Sequence, residues 1–406
     1  MLHLAALSTL LLSVPAFRAD ESAARKDPIA DRSLAAFQVD LIDLAFRAAA
    51  KMPANPHVKT RSKLQDDVAQ TCFDLDQPRR ALHFVENIAD WRRGKGYADF
   101  AFYCAKHGDP SEAQRYEDRA LEVARNWVKD ENAQDWHVDR IRTTLARAHL
   151  ALGDLKKAAE LEAGASDADA GKVQAMKASF MKPEAFDTEM ELIHGMLAHG
   201  NFDQQKSAME TCAQLFDRFY DDVAKRTVAE EKIKTSWAKL PLEMRIELLS
   251  EIAEFALAHG DREKTLSLLD EALAITESAP WLPEDHIAIV SNLAALRCRA
   301  GDKDRARAEA DAALSAFKTE REKIESFRRG RALRPLAEAF KTMDDAKASL
   351  AIYTIAVEEG RLNPNARARA EDLCANCQSM ARSAVEPDPE LWTNIRRIYD
   401  GLSDPW

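Results

Sequence analysis

Residues 108–113 read Gly108-Asp109-Pro110-Ser111-Glu112-Ala113, and this short stretch returns along the chain. It recurs as G-D-L-K-K-A from Gly153, G-N-F-D-Q-Q from Gly200, G-D-R-E-K-T from Gly260 and G-D-K-D-R-A from Gly301. Two further copies begin with aspartate, D-Q-P-R-R-A from Asp76 and D-D-A-K-A-S from Asp344. Seven residues before the leading position stand Ala69, Ala101, Ala146, Ala253, Ala294 and Ala337, with Ile193 in the remaining copy. Twelve residues after it come Ala120, Ala165, Ala272, Ala313 and Ala356, with Ile88 and Cys212 in the other two. A fixed-offset recurrence of this kind is the mark of a repeat architecture. Each copy reads as a helix, a tight turn and a second helix, with small residues where the two helices cross closely.

Working outward, apolar positions at three- and four-residue steps predict a first helix over 32–51, with Leu34, Phe37, Leu41, Leu44 and Ala48 on one face. Pro53 and Pro56 end it, because proline cannot continue the hydrogen-bond ladder. Helical hairpins follow. The first three fill 58–163, and residues 164–171 (G-A-S-D-A-D-A-G) mark the clearest interior break. The fourth pairs 183–199 with a long segment from Phe202, expected to break between Lys225 and Ala229. Hairpins five to seven continue to 360, with helices over 241–259 and 262–277, 283–300 and 303–327, and 331–343 and 346–359. The organisation is therefore a signal over 1–19, an N-terminal helix or cap over 20–57, hairpins 1–3 over 58–163, a linker and short helix over 164–182, hairpins 4–7 over 183–360 and a C-terminal capping hairpin over 361–406.

Composition narrows the function classes. Charged residues make up 31% of the 406 and aromatics 7%, with 13 glycines, which fits a helix-rich surface laced with ion pairs and disfavours a strand-rich fold. The formal net charge is −11 and no Lys/Arg cluster is present, which argues against nucleic acid and anionic membrane partners. Leu4 to Leu12 followed by Val14-Pro15-Ala16 reads as an export signal cleaved after Ala16 or Ala19, although its first residues offer only His3 as a basic group. No other stretch reaches the roughly 20 apolar residues of a membrane span, so the mature chain is expected not to insert into a membrane and to be periplasmic or extracellular. Cys72 and Cys104 share a repeat register and read as small buried residues. Cys374-Ala-Asn-Cys377 has neither a second ligand pair nor a redox-fold context; it reads as structural, with a local oxidised pair left open.

Turn-to-turn spacings are 32, 45, 47, 60, 41 and 43 residues. With Ala113, Ala120 and Leu121 after Gly108-Asp109-Pro110, Ala158 after Gly153-Asp154, and Ala306, Ala313 and Leu314 after Gly301-Asp302, the chain from about Val58 to Gly360 resembles the tetratricopeptide repeat superfamily. Most spacings exceed that family's 34 residues, and its usual aromatics are largely replaced. The resemblance implies an all-α solenoid of about seven to eight antiparallel helical hairpins in a right-handed superhelix, with the first helix of each hairpin lining a concave groove. At the groove-facing offsets stand Lys95 and Phe102, Arg140 and Arg147, Asp187 and His194, Glu247 and Glu254, and Arg331 and Arg334. Basic ends flanking an acidic middle suit an extended partner of complementary charge. The family's carboxylate clamp for chaperone peptides is not reproduced there.

No catalytic constellation stands out: there is no Gly-rich phosphate loop, no G-x-S-x-G and no H-E-x-x-H. His107, His199 and His259 each precede a turn glycine, where the end of a helix favours an imidazolium. Glu243, Glu247, Glu251 and Glu254 share one helix and read as a solvated face. The expectation is an exported, non-catalytic scaffold, without metal or cofactor, that binds a protein or peptide in its groove. The alternatives are an exported helical-toroid enzyme acting on polysaccharide and a structural spacer in an envelope assembly. Carbohydrate clefts are rich in stacking aromatics, whereas the seven Trp and six Tyr of this chain are scattered along the sequence.

Overall fold

The computed structural model describes residues 29–406, so the expected signal over 1–19 lies outside the described residues. Nineteen α-helices are present among them: α1 (Ala36–Lys51), α2 (Ala54–Asp74), α3 (Pro78–Val85), α4 (Arg92–Lys106), α5 (Pro110–Trp127), α6 (Asp135–Ala151), α7 (Leu155–Glu162), α8 (Asp167–Ser179), α9 (Phe186–His199), α10 (Phe202–Arg218), α11 (Val223–Ser236), α12 (Leu242–Ala258), α13 (Arg262–Glu277), α14 (Pro283–Arg299), α15 (Lys303–Glu320), α16 (Ser326–Thr342), α17 (Ala346–Arg361), α18 (Ala366–Arg382) and α19 (Pro389–Asp400). No helix among the described residues is long and apolar enough to cross a membrane.

The recurring motif works as a double signal. Gly108, Gly153, Gly260 and Gly301 have φ between 78° and 90°, and Asp76 and Asp344 have φ of 54° and 62°. A residue in this left-handed region turns the chain out of the helix, and the next amide reaches back across the last turn. Asp109 N–H donates to Cys104 O, Asp261 N–H to Ala256 O and Asp345 N–H to Phe340 O. The same aspartate then opens the following helix: the carboxylates of Asp109, Asp154, Asp261 and Asp345 accept from the amides of Glu112, Lys157, Lys264 and Ala348. The alanines at the crossing offset, Ala69, Ala101, Ala146, Ala253, Ala294 and Ala337, are all buried. They let the paired helices approach closely and pack without voids.

The even-numbered helices α2 to α18 form an inner layer in which each packs against the next, and the odd-numbered helices cover it from outside. The ends do not face solvent as caps. Helix α18 packs broadly on α1 and also touches α2, so the array closes on itself. Leu41, Ala45 and Ala48 of α1 share one apolar cluster with Leu373, Cys374 and Cys377 of α18. Gln38 Nε2 donates to Ala381 O at 2.8 Å, Thr71 Oγ1 to Gln378 Oε1 at 2.8 Å and Lys51 Nζ to Tyr399 O at 2.7 Å. That apolar cluster covers the two ends of the chain, and a second one fills 178–296; Leu273 packs against both.

Several expectations are corrected. The short helix expected with a linker over 164–182 is α8, and it takes a place in the inner layer that the reading by repeat register had not given it. Helix α9, expected to line the groove, lies in the outer layer against α10. Consistently, Gly200 has φ −73° and does not make the left-handed turn. The break in the long segment falls at 219–222, where Phe219 and Asp222 separate α10 from α11, instead of 225–229. Helix α16 begins at Ser326, so the segment expected to run unbroken over 303–327 ends at Glu320 and gives its last residues to the next helix.

Candidate functional site: the inner surface

Three cavities follow one another along the inner layer. The largest, about 740 Å³, lies against α4, α6, α8, α10 and α12 and is lined by Phe102, Lys106, Arg147, Lys172, Met176, Ser179, Glu210, Gln214 and Glu251, among others. A second, about 480 Å³, lies between α12, α14 and α16, with Glu243, Glu247, Glu254, Asp285, Asn292 and Arg331 on its walls. The third, about 460 Å³, spans the closure between α16, α18 and α2 and carries Asp67, Arg331, Arg334, Glu338 and Arg382.

The residues singled out by repeat register divide into five groups. Phe102 and Arg147 meet in the largest cavity, the guanidinium 4.6 Å from the ring centroid. Glu247, Glu254 and Arg331 line the second, where Glu254 holds Arg299 at 3.0 Å and Arg331 lies 3.9 Å from Asp285. Lys95 and Arg334 are consumed by the fold. Lys95 Nζ bridges Asp66 at 3.2 Å and Asp99 at 2.8 Å, and Arg334 is held by Asp372 at 3.2 Å. Arg140 is turned away to Asp169 at 2.7 Å and lines none of the three cavities. Asp187 and His194 are exposed on the outer helix α9, outside the inner surface altogether.

Lys172, Glu210, Gln214 and Glu251 are the interior residues that repeat register did not bring forward. The first three sit on helices whose inner or outer place was misassigned. Gln214 links the walls: its Oε1 accepts from Ser179 Oγ at 3.1 Å and its Nε2 donates to Glu251 Oε1 at 3.1 Å. Burial, reinforced by the nearby Glu210 carboxylate, pushes the Glu251 carboxyl up to about 7. Burial likewise lowers Arg147, with Asp99 as its counterweight, and Lys172 is lowered by desolvation and by its neighbour Arg140.

Three of the seven tryptophans come together in space. Trp91, Trp127 and Trp136 surround His137, which stacks on Trp91 at 4.7 Å and accepts from Trp127 Nε1 at 3.0 Å. Burial lowers the His137 imidazole to about 4. This knot joins α6 to the α3–α4 and α5–α6 connections, and no Trp or Tyr lines the three interior cavities. His107 and His259 stack on Tyr103 and Tyr220. All six cysteines are buried free thiols, and Cys374 Sγ donates to Ala45 O at 3.2 Å inside the closure. Among the described residues no three His, Cys, Asp or Glu side chains come together as a metal-holding group.

No family model matches the chain, and no curated protein matches it. Among solved structures it is similar to a circular tandem repeat protein with novel repeat topology and enhanced subunit contact surfaces. The identity is 14%, over 90% of this chain and 94% of that one, with a TM-score of 0.19. A likeness at that score carries no argument; the all-helical repeat arrangement rests on the packing of the helices themselves.

Proposed function

We propose that the chain is a non-catalytic binding scaffold, of tetratricopeptide-like hairpins bent into a closed array, that holds a peptide or protein segment against its inner surface. The observation that carries this reading is the 740 Å³ cavity: five successive inner helices contribute charged and aromatic side chains to one concavity, and its arginine stacks on Phe102 without an ion pair among the described residues. A preformed concave wall lowers the ordering cost of binding. Closure of the array supports an extended or loop-like partner, because a folded domain cannot be encircled by a ring already shut. Closure also suits the toroidal polysaccharide enzyme. The lining does not, since no Trp or Tyr stands on the walls of the three interior cavities. Export of the mature chain, read from residues 1–19, belongs to the same proposal.

The test is partner capture by photo-crosslinking, with a crosslinker placed at Met176 in the cavity and, as control, at Leu192 on the outer layer. Capture is expected from Met176, and the double change Phe102→Ala and Arg147→Ala should reduce it at least about tenfold while circular dichroism stays unchanged, given the ~1.5–3 kcal/mol worth of charged hydrogen bonds. Capture from Leu192 alone, or capture indifferent to the double change, removes the inner surface as the binding site.

A further inference from the structure

Several buried or half-buried cations of this molecule are held by carboxylates. Lys95 has two, Arg329 and Arg321 share Glu359, and Arg297, with no exposed surface, is ringed by Asp270 and Glu309. The largest cavity presents cations without such partners, Arg147 half-buried and Lys106 and Lys172 exposed. Arg147, Lys172 and Lys106 converge on it from α6, α8 and α4, and none of the three makes an ion pair among the described residues. Phe102 lies beneath two of them, with Arg147 at 4.6 Å and Lys106 at 5.6 Å from its centroid, so the planar guanidinium is oriented by stacking and its donors stay free. The opposite wall has the other sign. Glu210 and Glu251 stand on α10 and α12, with Gln214 fixed between Ser179 and Glu251. Glu210 has Lys206 of its own helix at 3.6 Å, but no ion pair joins the two walls among the described residues, and a concavity with cations on one side and carboxylates on the other is complementary to a ligand with both charges.

We propose that this cavity binds a dipolar peptide segment, a carboxylate held by Arg147, Lys172 and Lys106 and an ammonium or guanidinium held by Glu210 and Glu251. The proposal rests on the inner-surface reading above and adds the chemistry of the partner. The volume, about 740 Å³, accommodates a few residues and not a folded domain. The cationic wall makes no ion pair with the acidic one among the described residues, so a ligand carrying both charges can bridge them.

Isothermal titration of the full chain with three capped hexapeptides tests it: one with an Asp and a Lys three positions apart, one with two Asp, one with two Lys. The dipolar peptide should bind at least about tenfold tighter than either control, in line with the ~1.5–3 kcal/mol of a charge-assisted hydrogen bond. Arg147→Ala should weaken the dipolar and two-Asp peptides and leave the two-Lys peptide as it was; Glu251→Gln should weaken the dipolar and two-Lys peptides and leave the two-Asp peptide as it was. Equal binding of all three, no binding of any, or a loss that ignores peptide charge overturns the dipolar assignment. If partner capture at Met176 persists in that case, the inner surface remains the binding face and only the ligand chemistry is wrong.

Discussion

Two arginines show what burial asks of a charge. Arg297 has no exposed surface and survives because Glu309 lies 2.9 Å and Asp270 2.8 Å away. Removing one partner strands the other: Glu309→Ala is expected to cost about 3 kcal/mol in urea unfolding. Arg147 has no such partner, so Arg147→Ala should leave the unfolding midpoint nearly unchanged or raise it slightly, even as it weakens binding. Glu251 supplies a pH dependence whose sign is fixed. Its folded value of about 7 exceeds the ordinary 4.5, so its contribution to stability is complete below pH 4.5 and is lost as pH rises through 7. Glu210 and Glu254 add to that shift and Gln214 opposes it. Glu251→Gln should therefore flatten the decline in melting temperature between pH 5 and pH 8. His137 acts in the opposite sense: lowered to about 4, it contributes stability above pH 6.5 that is lost as pH falls through 4. His137→Phe, which keeps the stacking on Trp91, should flatten the acid limb of the same curve.

At the scale of the element, the turns were the legible part of this chain, for a physical reason. A left-handed residue followed by a helix-opening carboxylate admits few residue types, so Gly-Asp announces itself wherever it works. Gly260→Ala should cost about 1 kcal/mol from backbone strain alone, since no atom lies within 4 Å of the added Cβ. Asp261→Ala should cost a similar ~1 kcal/mol through the lost bond to Lys264 N–H, and thermal unfolding reads both. What register could not reach were α8 to α10. Residues 164–171 are small and polar, a composition that serves a loop or an exposed helix start equally well, and Ile193 replaces the crossing alanine in the one copy whose glycine is not left-handed. The error then propagated into the site. Phe102 and Arg147 were found because α4 and α6 keep strict register, whereas Asp187 and His194 took the place that belongs to Lys172, Glu210 and Gln214. Pairing was also invisible: nothing in the offsets distinguishes Lys95, locked between two aspartates, from Arg147, which makes no ion pair among the described residues.

The whole molecule depends on a contact between its two ends. Helix α1 reads as an orphan beside the repeats, and only the folded chain shows that it supplies α18 with an outer companion. Ala45, with no exposed surface, sits at the middle of that contact, its carbonyl accepting from Cys374 Sγ. Ala45→Glu should part the ends while leaving most helices intact. Small-angle scattering should then show a larger radius of gyration at nearly constant helical ellipticity; an unchanged radius would mean that the array stays shut without this contact. Nine inner helices meeting head to tail also obey a sum rule. The rotations at the nine joints must add to one full revolution, so no joint is free to choose its own angle. Widening the array by grafting in another helix pair would therefore demand a smaller bend at every junction, and the walls of the largest cavity would move apart even when the graft lies on the far side.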